Sequence, residues 1–199
     1  MIYNKKNFSI ANFCGKNQAR PELAGIFVEA DKTTSTDGFI LIQVSTPKGD
    51  IADFPTLPSG QKPKSNFQPF ILPAGKAKEI ESNIPAKMSL PILNHAVIIS
   101  QKAGIVEIAT TDLEGAKITQ TRTIEGKYPE FQPFLKEKGK YIEVLLNPAY
   151  LEKIANFFKG FSESQTITMK VPYDDKSPLH FISENPDQSA HAVLMPCQK

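Results

Sequence analysis

Residues 141–161 read YIEVLLNPAYLEKIANFFKGF, and residues 67–85 read FQPFILPAGKAKEIESNIP. Each opens on an apolar run, passes through a Pro-Ala pair (Pro148-Ala149, Pro73-Ala74) and continues with apolar residues at helical spacing. Leu151, Ile154, Phe157 and Phe158 form the stripe in one, Ile80 and Ile84 in the other. Proline costs nothing at the start of a helix, where its missing N–H would have had no partner. Both stretches therefore predict a strand that runs directly into a helix.

Further along, each stretch is followed by three strand-like segments. NHAVIISQ (94–101), GIVEIATTD (104–112) and GAKITQTRT (115–123) follow the first; SQTITMKVP (164–172), SPLHFISEN (177–185) and SAHAVLMPC (189–197) follow the second. Thr166, Thr168 and Lys170 alternate with Ile167, Met169 and Val171, which gives a sheet with one buried face. A strand-helix-strand-strand-strand unit thus occurs twice, over 67–123 and 141–197. The predicted class is α+β, with helices on one face of antiparallel sheets.

The N-terminal third fits the same template in part. ELAGIFVEA (22–30) and FILIQVSTP (39–47) read as strands joined by a turn around Asp37-Gly38. NFCGKNQARP (12–21) holds a glycine and a proline and has no amphipathic period, so the first helix is expected to be missing. KGDIADFPTLPSGQKPKSN (48–66), rich in Pro, Gly and Ser, reads as a long exposed connection. The count is about two and a half units.

Bulk properties narrow the function. A chain of 199 residues, 40% hydrophobic and 22% charged, buries a real core. No apolar run is long enough to cross a membrane, and MIYNKKNFSIANF is too polar for a signal peptide; the expected location is intracellular, the cytoplasm. Cys14 and Cys197 have no metal or redox spacing, and no metal or cofactor is expected. A net charge of +2 permits nucleic-acid contact without being a basic footprint. His95, His180 and His191 have no nucleophile or matching acid nearby, and there is no P-loop, dinucleotide fingerprint or paired carboxylate. The expectation is a protein that is not an enzyme.

Three stretches, in order, resemble the bacterial beta sliding clamp, the beta subunit of DNA polymerase III. RPELAGIFVEADKTTSTDGFIL (20–41) resembles the Arg-x-x-Leu-x-Gly strand and Ala-Thr-Asp-Gly-His-Arg-Leu turn of that family's middle domain. IEGKYPEFQPFL (124–135) resembles its closing Asp-Gly-Arg-Phe-Pro-Asp-Tyr stretch. AVLMPCQK (192–199) resembles its Val-Met-Pro-Met end. Phe39 stands where the family has histidine, Pro133 where a basic residue is common, and Cys197 where methionine is usual. The likeness covers a middle domain without its first helix (1–135), then the second half of a last domain (136–199), a shortened and divergent clamp.

The resemblance implies a DNA clamp, or processivity, fold and a homo-oligomer. It further implies a tether for a DNA polymerase and other proteins carrying a clamp-binding linear motif, around double-stranded DNA without sequence specificity. Rings of the family comprise twelve such units, so four copies would make up the count. The peptide pocket it implies is lined by Leu23, Thr36, Gly38, Phe39, Leu41, Pro129, Phe134, Val193, Met195 and Pro196. Weak DNA contacts fall to the helix lysines Lys76, Lys78, Lys153 and Lys159, with Lys87 nearby. A concave apolar surface suits leucine and phenylalanine anchors, and methionine adapts to several partners. The alternative is a protein-interaction module that keeps the pocket without a ring.

Overall fold

The computed structural model describes residues 1–16, 19–86, 90–137, 139–161 and 164–197. The chain divides into two compact units, Met1–Phe131 and Gln132–Lys199.

The first unit runs β1 (Ile2–Asn4), α1 (Lys5–Ser9), β2 (Gly25–Val28), β3 (Lys32–Thr36) and β4 (Leu41–Ser45). It then repeats the order with β5 (Phe70–Pro73), α2 (Ala74–Asn83), β6 (His95–Lys102), β7 (Ile105–Thr111) and β8 (Ala116–Arg122). The expected absence of a first helix is corrected by α1, which a 3-10 turn at Ile10–Phe13 extends. This helix lies upstream of the glycine and proline, and its cap specifies it. The Asn4 side chain accepts from the Lys6 and Asn7 N–H groups, while the Asn7 side chain accepts from the Asn4 N–H.

Each half lends its first strand to the other. The two antiparallel sheets have the orders β1-β6-β7-β8 and β4-β3-β2-β5. Asn4 lies opposite His95 and Ile2 opposite Val97 in one; Pro73 lies opposite Gly25 and Phe70 opposite Val28 in the other. The exchange covers the outer edges of β2 and β6, which would otherwise be open to pairing with other chains. Phe8, Ile26, Leu72, Ala77, Ile80, Ile98 and Ile108 form the core between the helices and these sheets.

The connection 48–66 is less exposed than its composition predicts. Phe54 and Leu57 are buried in a second cluster with Ile2, Val97 and Ala109, and the Lys64 N–H donates to the Ile98 carbonyl at 2.7 Å. Two apolar residues in a polar segment are enough to fasten it over a sheet face.

The second unit holds α3 (Gln132–Leu135), α4 (Pro148–Phe158), β9 (Thr168–Lys170), β10 (Leu179–Glu184) and β11 (Ser189–Leu194). Its antiparallel sheet has the order β11-β10-β9. Pro148 is the first residue of α4 as expected, under an Asn147 cap that accepts from the Ala149 N–H at 2.9 Å. Pro73, by contrast, is the cap residue of α2. Phe158, Leu179, Phe181 and Leu194 form the core, with Val144, Leu146 and Ile154 against it.

The strand expected at 141–146 does not form a ladder. Its carbonyl at Leu145 accepts from the Cys197 N–H at 2.7 Å. A strand needs a neighbour, and its counterpart β5 obtains one from the opposite half. Among the described residues, no helix is long and apolar enough to cross a membrane.

Candidate peptide-binding site

The turn after β3 is built by side chains that bind its own backbone. The Asp37 carboxylate accepts from the Phe39 N–H at 2.8 Å and the Ile40 N–H at 3.0 Å. Those bonds, from Ile40 foremost, hold its carboxyl below the usual range. Thr36 accepts from the Gly38 N–H at 3.0 Å, and Gly38 takes a φ of 98°, which a residue with a Cβ rarely adopts. Asp37 therefore shapes the turn. Phe39, at its tip, is 100% exposed.

Leu23 and Leu41 anchor that turn from either side. Leu23 is buried in a 3-10 turn at Pro21–Leu23, and its carbonyl accepts from the Gly15 N–H at 2.8 Å. A Cβ built on Gly15 would lie 3.1 Å from the Leu23 Cβ and 3.6 Å from the Asp37 Cα, so these three residues lie together. Leu41 opens β4 and packs against Ile71, Tyr128 and Phe131.

That aromatic cluster, which backs the candidate site through Leu41, was missed from the sequence. Phe27 stacks on Tyr128 with ring centroids 5.0 Å apart, and Phe131 meets both edge-on. Tyr128 donates to the Thr34 carbonyl at 3.4 Å, and burial pushes its phenol up. Half-buried Pro129 sits between the two rings in sequence. Aromatic spacing in YPEF was the available signal.

In the second unit, Met195 and Pro196 line a depression of about 340 Å³ with Glu143, Leu145, Asp175, Lys176 and Cys197. Met195 is 60% exposed at the end of β11, and Val193 is half exposed on the strand itself. Phe134, on α3 and 83% exposed, is not part of the depression's lining. The ten expected residues thus form two sets. Leu23, Thr36, Gly38, Phe39, Leu41 and Pro129 belong to the first unit, Phe134, Val193, Met195 and Pro196 to the second.

The helix lysines differ in freedom. Lys76 donates to Glu79 at 2.7 Å, and Glu79 also accepts from Thr119 at 3.1 Å. Both bonds, the lysine's foremost, hold the Glu79 carboxyl below its ordinary range. Lys78 and Lys159 are exposed, and Lys153 lies 5.6 Å from the centre of the Tyr150 ring. Lys87 lies outside the described residues. His180 and His191 meet at 2.8 Å across β10 and β11. Among the described residues, no group of three or more His, Cys, Asp and Glu side chains could hold a metal.

Repeated strand-helix units and antiparallel sheets define an α+β protein whose fold is like that of the DNA sliding clamps. The DNA polymerase beta subunit of Streptococcus pyogenes superposes on it with a TM-score of 0.68 at 14% identity, over 100% of this chain and 50% of that one. The DNA polymerase sliding clamp of Bacillus subtilis gives 0.67 at 13%, over 100% and 49%. DNA polymerase III subunit beta of Borrelia burgdorferi gives 0.67 at 13%, over 98% and 48%. The chain spans about half the length of these clamp chains, and at such identities the likeness is one of fold. No protein-family model and no curated protein matches the sequence.

Proposed function

We propose that the chain is a clamp-like processivity factor, a non-enzymatic accessory protein that tethers a DNA polymerase to its template through a short linear motif. The likeness of the whole chain to clamp structures is the observation that carries this reading. A clamp acts by topology. It slides because its contacts are to phosphates and carry no base sequence, and it raises processivity by keeping the enzyme at high effective concentration. The aromatic-backed turn of the first unit and the exposed Met195-Pro196 end of the second supply apolar surfaces suited to leucine and phenylalanine anchors. In this reading the protein works in the cytoplasm on double-stranded DNA, as a homo-oligomer. The other reading, an interaction module without a ring, draws on the open three-stranded sheet of the second unit.

Met195 and Phe134 are both largely exposed, so truncating them spares the fold. Met195→Ala with Phe134→Ala should weaken a synthetic peptide with leucine and phenylalanine anchors at least about tenfold, or about 1.4 kcal/mol. Calorimetry reads the affinity and circular dichroism the fold. Unchanged affinity in the folded double variant removes these side chains from the pocket.

A further inference from the structure

The second unit contains one half of the arrangement that the first unit contains twice. Their geometries correspond in detail. The Ile124 N–H donates to the Ile71 carbonyl at 2.9 Å, just as the Cys197 N–H donates to the Leu145 carbonyl at 2.7 Å. Across the sheets, the row Ile98, Ile108, Thr119 corresponds to the row Met169, Phe181, Ala192, each ending five residues before its bonded N–H. Met169 therefore stands where Ile98 does, Ile167 where Ala96 does, and Leu151, on the first turn of its helix, where Ala77 does.

The matched positions differ in cover. Ile98, Ala96 and Ala77 are 1%, 0% and 0% exposed, whereas Met169, Ile167 and Leu151 are 52%, 40% and 37% exposed. In the first unit the cover is the opposite half: β1 lies along the outer edge of β6, and α1 packs on α2. In the second unit β9 is the last strand of its sheet, and all three of its residues are exposed.

We propose that the second unit docks onto the second unit of another copy of this chain, about a two-fold axis. The segment 144–147 of each copy lies along β9 of the other, and the two α4 helices pack together as α1 and α2 do. The register follows from Asn4 opposite His95 and Tyr3 opposite Ala96. It sets Leu146 opposite Ile167, Leu145 opposite Thr168 and Val144 opposite Met169 across the axis. The inward faces agree, because Val144 and Leu146 already point into the core and Met169 shares the face of Phe181. One step outward, Glu143 meets Lys170, an acid against a base, and symmetry makes that pair twice.

A second copy is the occupant because this half carries both members of the pairing, the donated segment and the receiving edge. Self-complementary patches of that kind close as two-fold dimers. The contact would protect an edge strand and withdraw a contiguous apolar surface from water. It stands on the geometry of the second unit, independent of any role in processivity.

The test uses the full chain with Cys197→Ser, so that the native exposed thiol does not compete. Leu145→Cys in one sample and Thr168→Cys in another are mixed and mildly oxidised. Opposed antiparallel residues have Cα atoms about 4.5–5.5 Å apart, within disulfide range. The expected product is a covalent dimer joining the two variants on a non-reducing gel. In light scattering, Lys170→Glu should raise the dimer dissociation constant about tenfold by setting like charges opposite each other, and adding Glu143→Lys should restore it. A chain that is monomeric at micromolar concentration, a dimer indifferent to Lys170→Glu, or association without the cross-link would each overturn the interface.

Discussion

Asn7 has no solvent exposure, and it is where α1 is fastened to the rest of its unit. Its Nδ2 donates to Thr33 Oγ1 at 3.3 Å, the Val44 carbonyl at 3.3 Å and the Ser45 carbonyl at 3.1 Å. The Thr33 hydroxyl answers by donating to the Asn7 carbonyl at 3.0 Å. A five-residue helix is too short to persist by itself, so this buried polar contact and the packing of Phe8 hold it. Asn7→Ala would leave acceptors in the interior without donors, at about 1–3 kcal/mol for each buried group. The expected loss is about 2–4 kcal/mol in urea unfolding, read as a lower midpoint at unchanged slope. Half-buried Ser9, whose hydroxyl donates to the Lys6 carbonyl at 3.1 Å within its own helix, should tolerate alanine within about 0.5 kcal/mol. Equal effects of the two substitutions would remove Asn7 from this role.

At the scale of elements, the exchange of first strands forces β2 and β5 close together. A Cβ on Gly25 would meet the Leu72 carbonyl oxygen at 2.5 Å and Ile71 Cγ2 at 2.8 Å. Gly25→Ala should therefore cost about 1–3 kcal/mol, since backbone must move to admit a methyl group. Gly75, in α2 with open space around it, should instead gain up to about 1 kcal/mol on the same change. Thermal unfolding of the pair separates a packing constraint from ordinary helix propensity. The same elements show what a single chain's pattern can reveal. Both Pro-Ala helices and the three strands after each were legible, because apolar period and proline placement are local. The helix α1 was not, since its signal is an Asn cap and a buried Asn7 that only the β3–β4 hairpin makes sense of. The segment 141–146 is as apolar as a strand, yet it joins no ladder, because pairing is a property of a neighbour. Of the candidate site, the turn around Asp37 was legible from its residues, and the resemblance pointed to Pro129. It passed over Tyr128 and Phe131, whose stacking on Phe27 depends on contacts roughly a hundred residues apart in sequence.

For the whole molecule, the balance of charge decides how it can meet DNA. A net charge of +2 on 199 residues gives no broad attractive field, so in the proposed clamp role contact with DNA would come from a few local lysines. They are not equivalent. Lys76 already gives its charge to Glu79 at 2.7 Å, and pairing with a phosphate would first break that contact. Lys153 and Lys159 have no carboxylate partner in any ion pair among the described residues, so their ammonium groups remain available. Each lysine that neutralises one phosphate adds about 0.9 to the slope of log affinity against log salt. Binding to linear duplex should therefore be weak, independent of sequence and steeply lost with salt. Lys153→Glu with Lys159→Glu should lower the slope by roughly 2 and weaken binding further. Lys76→Glu should do less than either reversal, because it removes a charge that Glu79 has already compensated. Fluorescence anisotropy across a salt series measures the slopes, and a competition assay with unrelated duplexes measures sequence preference. A slope that ignores Lys153 and Lys159 would move the DNA contact away from α4. Preference for one base sequence would be incompatible with the proposed sliding role, since phosphate contacts alone cannot read bases.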